Sequence, residues 1–272
     1  MNIFKDKIAI ITGGASGIGK ALCEELGRRG STVIVADING KGAMDVADEI
    51  NASGGHAEGR FLDVTCCIEV NSLIETTVKD YGKLDYIFNN AGICIGGEMR
   101  DIEMQHWQRV MDINFHGVLY GTVSAYRIMI DQGYGHIINI ASMGGLVPMP
   151  FNAPYCATKH AVVGMSLSLQ AEAAILGIKV SVVCPGFVNT GIFEAMTMIG
   201  LDKEKMLSTM PFKRLPKPDE AARYIIRSIE RGKTIIVFPL SARILWRMVR
   251  FFPAAARMVG AKIAGRFSKF RY

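Results

Sequence analysis

Short, nearly uninterrupted apolar runs recur along this chain, separated by more polar stretches of helical length. KIAIIT (7–12), STVIVAD (31–37), GRFLDV (59–64), LDYIFNNAG (84–92), HIINIAS (136–142), KVSVVCPG (179–186) and TIIVF (234–238) are rich in β-branched residues and do not alternate strictly with polar ones. That pattern predicts strands buried on both faces, as parallel strands are. The intervening 17–29 and 154–176 have the length of helices. Strand–helix alternation of this kind predicts one doubly wound α/β domain over residues 1–239, with a seven-stranded parallel sheet and helices on both faces. The rhythm breaks over 189–218, where Met196, Met198, Met206 and Met210 stand among glycine, lysine and acids before PFKRLPKP. A methionine-lined mobile lid and a helical insertion packed on the body fit that stretch equally well.

Composition narrows the class. Half of the 272 residues are hydrophobic and 21% are charged, which is ample for a core and excludes a disordered chain. The six cysteines form no CxxC pair, and Cys66 and Cys67 are adjacent. Buried thiols in a reducing cytoplasm are therefore expected, with no structural zinc or other metal. The apolar run behind the N-terminal lysines stops at Ile11, which fits a buried strand better than a signal peptide, and no run reaches the ~18 apolar residues of a membrane span.

The net charge of +6 is concentrated at one end. Eight Lys/Arg and no acid lie within 242–272, whereas the other 241 residues hold 23 basic and 25 acidic residues. Arg243, Arg247 and Arg250 share one helical face, with Ile244, Leu245, Trp246, Met248, Val249, Phe251 and Phe252 filling most of the rest. Pro253 should interrupt the helix, after which Lys262, Arg266 and Lys269 repeat the spacing. Residues 240–272 thus read as a basic, amphipathic helical extension. It could contact an anionic membrane peripherally through 242–271, or pack on the body or on another subunit. Nucleic acid is not an expected partner, because no recognition motif accompanies the charge.

TGGASGIG (12–19) follows the first strand and opens a helix. Without Cβ atoms, Gly13, Gly17 and Gly19 let a pyrophosphate approach the backbone and the helix N-terminus, and Ser16 and Ile18 share that turn. Asp37 ends the second strand, 18 residues after Gly19. Its carboxylate can accept from both ribose hydroxyls and would repel a 2′-phosphate, which favours NAD over NADP in a Rossmann-type fold.

YCATK (155–159) places Tyr155 and Lys159 one helical turn apart. An ammonium beside the phenol stabilises the phenolate, and a positively charged nicotinamide acts in the same direction, so Tyr155 can serve as a general acid–base. With TGGASGIG, Asp63-Val64, NNAG (89–92), Asn114 in MDINFHG, Ser142 in INIASMGG and PGFVNT (185–190), the chain from about Lys5 to Pro239 resembles the short-chain dehydrogenase/reductase family. The resemblance implies that Tyr155 exchanges the proton with the substrate oxygen while Ser142 holds that oxygen. It implies that Lys159 binds the nicotinamide ribose and lowers the Tyr155 pKa, and that Asn114 distorts its helix and orders a water leading from Lys159 to solvent. For the cofactor it implies Asp63 and Val64 at the adenine. Asn90, Ala91 and Gly92 would lie along the adenosine and ribose side, and Pro185, Gly186, Val188 and Thr190 at the nicotinamide end. NADP-using relatives often carry Arg or Lys where this chain has Ser16 and Ile38.

The segment 143–155 is apolar and contains no Lys or Arg, and Phe187 and the methionines of 189–218 are apolar too. A hydrophobic secondary alcohol or ketone, of steroid, retinoid, terpenoid or acyl type, is therefore the expected substrate of an NAD-dependent oxidoreductase. A 3-oxoacyl carrier-protein reductase is the alternative enzyme, and a non-catalytic NAD-binding protein the alternative of another class. Relatives commonly pair through the helix bearing YxxxK, and 160–176 is more apolar than one face requires, so a homodimer or homotetramer is expected.

Overall fold

A computed structural model describes residues 2–209 and 215–271. In chain order the elements are β1 (Ile8–Thr12), α1 (Gly17–Arg28), β2 (Thr32–Asp37), α2 (Gly40–Ala52), β3 (His56–Phe61), α3 (Cys67–Tyr81), β4 (Tyr86–Asn89), β5 (Ile95–Gly97), α4 (Met104–Met111), α5 (Gly117–Gln132) and β6 (Gly135–Ile140). They continue with α6 (Ala153–Ile175), β7 (Ile178–Pro185), α7 (Ile192–Ala195), β8 (Thr197–Ile199), α8 (Lys203–Ser208), α9 (Pro218–Glu230), β9 (Ile235–Phe238), α10 (Leu240–Phe251) and α11 (Pro253–Phe267). Seven strands form one parallel sheet in the order β3-β2-β1-β4-β6-β7-β9. The order reverses between β1 and β4, and such a reversal opens a crevice at the carboxyl ends of the two strands.

Burial on both faces follows from alternation along each strand. Ala9 and Ile11 of β1, with Val33 and Val35 of β2, join Leu22 and Leu26 of α1, Val46 and Ile50 of α2, and Ile225 and Ile226 of α9. Ile10 and Ile34, between them in sequence, face the other way into Ile74 of α3, Met129 of α5 and Ala173 of α6. A third cluster, with Val182, Cys184 and Val237, lies toward the end of the sheet where Ala242 of α10 packs.

One expectation needs correction. The third strand is His56–Phe61 rather than 59–64, because it is an edge strand paired only with β2 and needs no apolar character. Leu62 and Val64 do enter the core, but from the turn after the strand. Within 189–218, the described residues form α7, β8 and α8, and β8 pairs in parallel with β5 in a second, two-stranded sheet. Met196 and Met206 are buried there, while the rest of α7, β8 and α8 is half-buried or exposed; Met210 lies outside the described residues. Pro253 does interrupt the C-terminal helix, standing at the first position of α11.

Candidate active site

The crevice is built mainly by short side chains and backbone groups. Gly13 and Gly17 adopt left-handed φ values of 66° and 55°, which glycine reaches without steric cost. A Cβ on Gly19 would stand 2.0 Å from the Gly13 carbonyl oxygen, and one on Gly13 would stand 2.8 Å from the Ala91 Cα. The turn is thus a cradle that only glycine allows. Thr12, which sequence reasoning left out of the site, ties this turn to the end of β4. Its Oγ1 accepts from the backbone amides of Asn90 (2.9 Å) and Ala91 (3.1 Å), and the Asn90 side-chain Nδ2 donates to the carbonyls of Thr12 (2.9 Å) and Gly13 (3.1 Å). The signal was the hydroxyl residue that ends β1, directly before the glycines.

Ser16 caps α1 without a side-chain capping bond and is exposed, while Ile18 is half-buried and packs against the core. Asp37 Oδ2 accepts from the Ala15 amide at 3.0 Å and Oδ1 from the Asn39 amide at 2.9 Å. The acid is therefore held beside the glycine turn. Ile38 next to it is exposed. Asp63 accepts from the Thr65 amide and hydroxyl, and Val64 beside it is buried. At the far side, Pro185 and Val188 are buried, and a Cβ on Gly17 would lie 3.4 Å from that of Thr190, so the 186–191 loop leans over the glycine turn.

The four polar candidates converge at the other end of the crevice. Asn114 is fully buried in a π-helical turn, Asp112–His116, between α4 and α5. Its side chain accepts from the Ile93 amide (2.8 Å) and donates to the Ile93 carbonyl (2.9 Å). A Cβ on Gly92 would sit 3.1 Å from Asn114 Oδ1 and 3.5 Å from Lys159 Nζ, so bare Gly92 leaves open the space between these two atoms.

Lys159, 3% exposed, donates to the Ile140 carbonyl at 3.0 Å and lies 5.8 Å from the centre of the Tyr155 ring. Burial pulls its ammonium down to about 8. Ser142 opens a single 3₁₀ turn, Met143–Gly145, and its hydroxyl oxygen accepts from the Gly144 amide at 3.1 Å. Two glycines there let α6 come close, since a Cβ on Gly144 would lie 3.2 Å from the Tyr155 ring and one on Gly145 2.4 Å from the Lys159 carbonyl.

Burial pushes the Tyr155 phenol above its ordinary range, and the hydrogen bond with Ser142 draws it partly back. Cys94 also faces this cluster, and its thiol donates to Asn152 Oδ1 at 3.4 Å.

Apolar wall segments complete the site. Phe151 holds a left-handed φ of 62°, a strained position for a bulky residue, where its carbonyl accepts from the Gly97 amide at 2.7 Å. Its ring meets Phe267 of α11 edge-on, with centroids 6.0 Å apart. The backbone amide of Asp202 donates to the Phe270 carbonyl at 2.7 Å, and Arg271 binds Glu98 and, at 3.1 Å, Asp101. The end of the described chain is thus fastened across this wall. Nothing in the local sequence pattern foretold the pairing of Arg271 with acids about 170 residues earlier.

Comparison with known proteins agrees with this geometry. The model of the short chain dehydrogenases matches residues 7–198. A cyclohexanol dehydrogenase of an Acinetobacter species is 34% identical over 227 residues, covering 82% of this chain and 88% of its own. A 3-oxoacyl-[acyl-carrier-protein] reductase of a Synechocystis species is 34% identical over 223 residues, covering 82% and 88%. The crystal structure of a short chain dehydrogenase/reductase from Burkholderia phymatum in complex with NAD superposes with a TM-score of 0.83 at 27% identity, covering 91% of this chain and 94% of that one. The chain belongs to the short-chain dehydrogenases, a family of oxidoreductases that use a nicotinamide cofactor.

Proposed function

We propose that the protein is an NAD-dependent oxidoreductase of a hydrophobic secondary alcohol or ketone. The observation that carries this reading is the convergence of Ser142, Tyr155, Lys159 and Asn114 at one end of a glycine-lined crevice. Asp37 supports NAD as the nucleotide. Its carboxylate keeps free lone pairs for two ribose hydroxyls after accepting from Ala15 and Asn39, and no ion pair to it occurs among the described residues. A 2′-phosphate would meet that negative charge with neither Ser16 nor Ile38 to neutralise it.

The cradle fits a dinucleotide, because the positions that would block a pyrophosphate are Gly13, Gly17 and Gly19. When bound, the dinucleotide supplies the hydride acceptor or donor and, oxidised, a positive ring near the phenol. The chain's own residues do the rest. The Ser142 oxygen is already an acceptor for Gly144, which leaves its proton to donate to the substrate oxygen. Tyr155 gives the proton to a ketone oxygen being reduced, or takes it from an alcohol being oxidised. One of the three Lys159 N–H groups is committed to Ile140, leaving one for a ribose hydroxyl and one for a water. A water in the space beside Gly92 would bridge Asn114 Oδ1 and Lys159 Nζ and carry the proton onward.

The surroundings of Tyr155 favour an apolar substrate: Met149 lies on that side, and no Lys or Arg falls within 143–155. The test is a panel of secondary alcohols and ketones, from cyclic to long-chain, plus a 3-oxoacyl thioester, each assayed with NAD and with NADP. Turnover of apolar alcohols with NAD is expected. Activity confined to the 3-oxoacyl thioester with NADP would replace this reading with the carrier-protein reductase. For assembly, exposed Val123 and Ile130 of α5 and Leu167 of α6 support a dimer or tetramer through these helices, which sedimentation at micromolar concentration would reveal.

A further inference from the structure

Helix α10 carries two apolar faces, and only one is covered. Ala242, Trp246 and Val249, spaced four and three apart, pack on the core cluster of Val182, Cys184 and Val237. Leu240, Ile244, Met248 and Phe251, spaced four, four and three apart, form a second line on which each residue is at least half exposed. Phe252 at the joint, and Met258 and Ile263 of α11, extend this exposed apolar strip. Arg247 and Arg250 project along its flank, and α11 adds exposed Arg257, Lys262 and Arg266. Arg243 shares their side of α10 but is spent on the Tyr224 hydroxyl, and Arg271 is held by Glu98 and Asp101. No ion pair engages Arg247, Arg250, Arg257, Lys262, Arg266 or Lys269 among the described residues, and no acid lies within 240–271.

We propose that α10 and α11 dock the protein on an anionic lipid surface, with the apolar strip in the headgroup–acyl boundary and the unpaired cations at the phosphates. The charge distribution selects this occupant. A second copy meeting the same face would bring like charges together without an acid to separate them. A nucleic acid would satisfy the cations and leave Met248, Phe251 and Phe252 against phosphates. Only a lipid interface offers hydrocarbon and negative charge side by side. No helix among the described residues is long and apolar enough to cross a membrane, so the contact lies in the plane of the surface.

Placement adds a consequence. The tail begins against Gly186, where a Cβ would lie 3.0 Å from that of Ala242, and ends on Phe151, Glu98 and Asp101. It therefore runs beside the apolar side of the catalytic crevice, and a docked protein would hold that side near lipid. Delivery of an apolar substrate from the lipid rests on the reading under Proposed function; the docking does not.

The test is co-sedimentation of the full chain with vesicles of phosphatidylcholine alone or mixed with phosphatidylglycerol, without substrate or turnover. Binding to the mixed vesicles at low salt, weakened by added salt, is expected. R247Q/R250Q should bind on the order of 30-fold more weakly, from about 1 kcal/mol per cation near the surface. M248S/F251S/F252S should lose binding while keeping the wild-type melting temperature and NAD affinity, since all three side chains are exposed. Absence of binding to the mixed vesicles overturns the proposal, as does undiminished binding by the serine variant. So does an oligomer that the serine variant dissociates, which would make the strip an interface between copies, or duplex DNA held as tightly as the mixed vesicles.

Discussion

The two halves of the crevice are made differently. On the dinucleotide side, backbone groups and short polar side chains lock one another: Thr12 accepts from Asn90 and Ala91, Asn90 returns to Thr12 and Gly13, and Asp37 accepts from Ala15. A displaced atom there costs a hydrogen bond or a steric clash. On the substrate side, Phe151 leans on Phe267, a two-stranded sheet of three residues per strand joins β5 to β8, and Arg271 closes the far edge. Apolar contacts of that kind tolerate exchange so long as volume is kept. The difference separates what fixes the chemistry from what selects the substrate, and a variant in one half should leave the other largely intact.

The largest effect is expected from Tyr155→Phe, which removes one hydroxyl from the meeting point of the halves. Turnover should fall by roughly 10²–10⁴, the usual worth of general acid–base help, with NAD affinity within about twofold of wild type. Single-turnover kinetics and a nucleotide titration on the same preparation separate the two readouts. Near-normal turnover would remove Tyr155 from the mechanism.

Next is the pH dependence that Lys159 imposes. Burial lowers its folded pKa to about 8 from an ordinary 10.5, so the folded state carries the cost of a buried ammonium below pH 8. That cost is relieved as the pH rises from 8 to 10.5, where the unfolded chain still binds the proton and the folded chain does not. Relative to Lys159→Met, wild-type stability should therefore rise across that window by about 3 kcal/mol. Denaturant titrations of both proteins at pH 7.5 and 10.5 measure it, and a constant difference would mean that the ammonium is better solvated than its surroundings imply.

A smaller change is expected from Asp37→Ala with Ile38→Arg, which alters only the adenosine end. Replacing a carboxylate by a cation at the ribose should shift the NAD/NADP affinity ratio by on the order of tenfold or more toward NADP, since hydrogen bonds to charged groups contribute about 1.5–3 kcal/mol. Substrate preference should stay as it was; if it moved, the independence of the two halves would fail.

The smallest effect belongs to Arg271→Ala. Its partners are partly exposed, so the pair is screened and contributes little. The Asp202 amide, which donates to the Phe270 carbonyl, is a local reporter. Its hydrogen exchange should speed up by at most about fivefold, with exchange in β1 and β4 unchanged.

Legibility in the sequence followed the same division. β1, β2, β4, β6 and β7 were readable because central parallel strands must be apolar on both faces, and the edge strand β9 because Ile236 and Val237 are buried in it. The third strand was displaced because HAEGRF pairs on one side only and is half polar, whereas the apolar residues that drew attention follow it. The glycine turn and Asp37 were legible because backbone geometry and charge leave few residues able to serve there. Thr12 was overlooked as a mere strand end, although its two accepted hydrogen bonds hold the turn to β4. β5 and β8 could not be foreseen: three residues are too few to show a period, and their pairing joins segments 102 residues apart. The clasp of Arg271 is equally long-range, and nothing local in either partner announces the other.

The π turn at Asn114 also solves a problem of phase. Val110, Asn114, Val118 and Thr122 are all buried, each four residues after the last. At 3.6 residues per turn, every such step overshoots by about 40°, so three steps would carry Thr122 most of the way off the inward line. The wider turn at Asp112–His116 gives part of that rotation back and works as a vernier between α4 and α5. One rod can then keep Val110 buried and still present Thr122 to Asn89 and Asn139 beneath the sheet. Deleting Ile113 would remove the slack, and the two ends of the rod could no longer both be in register.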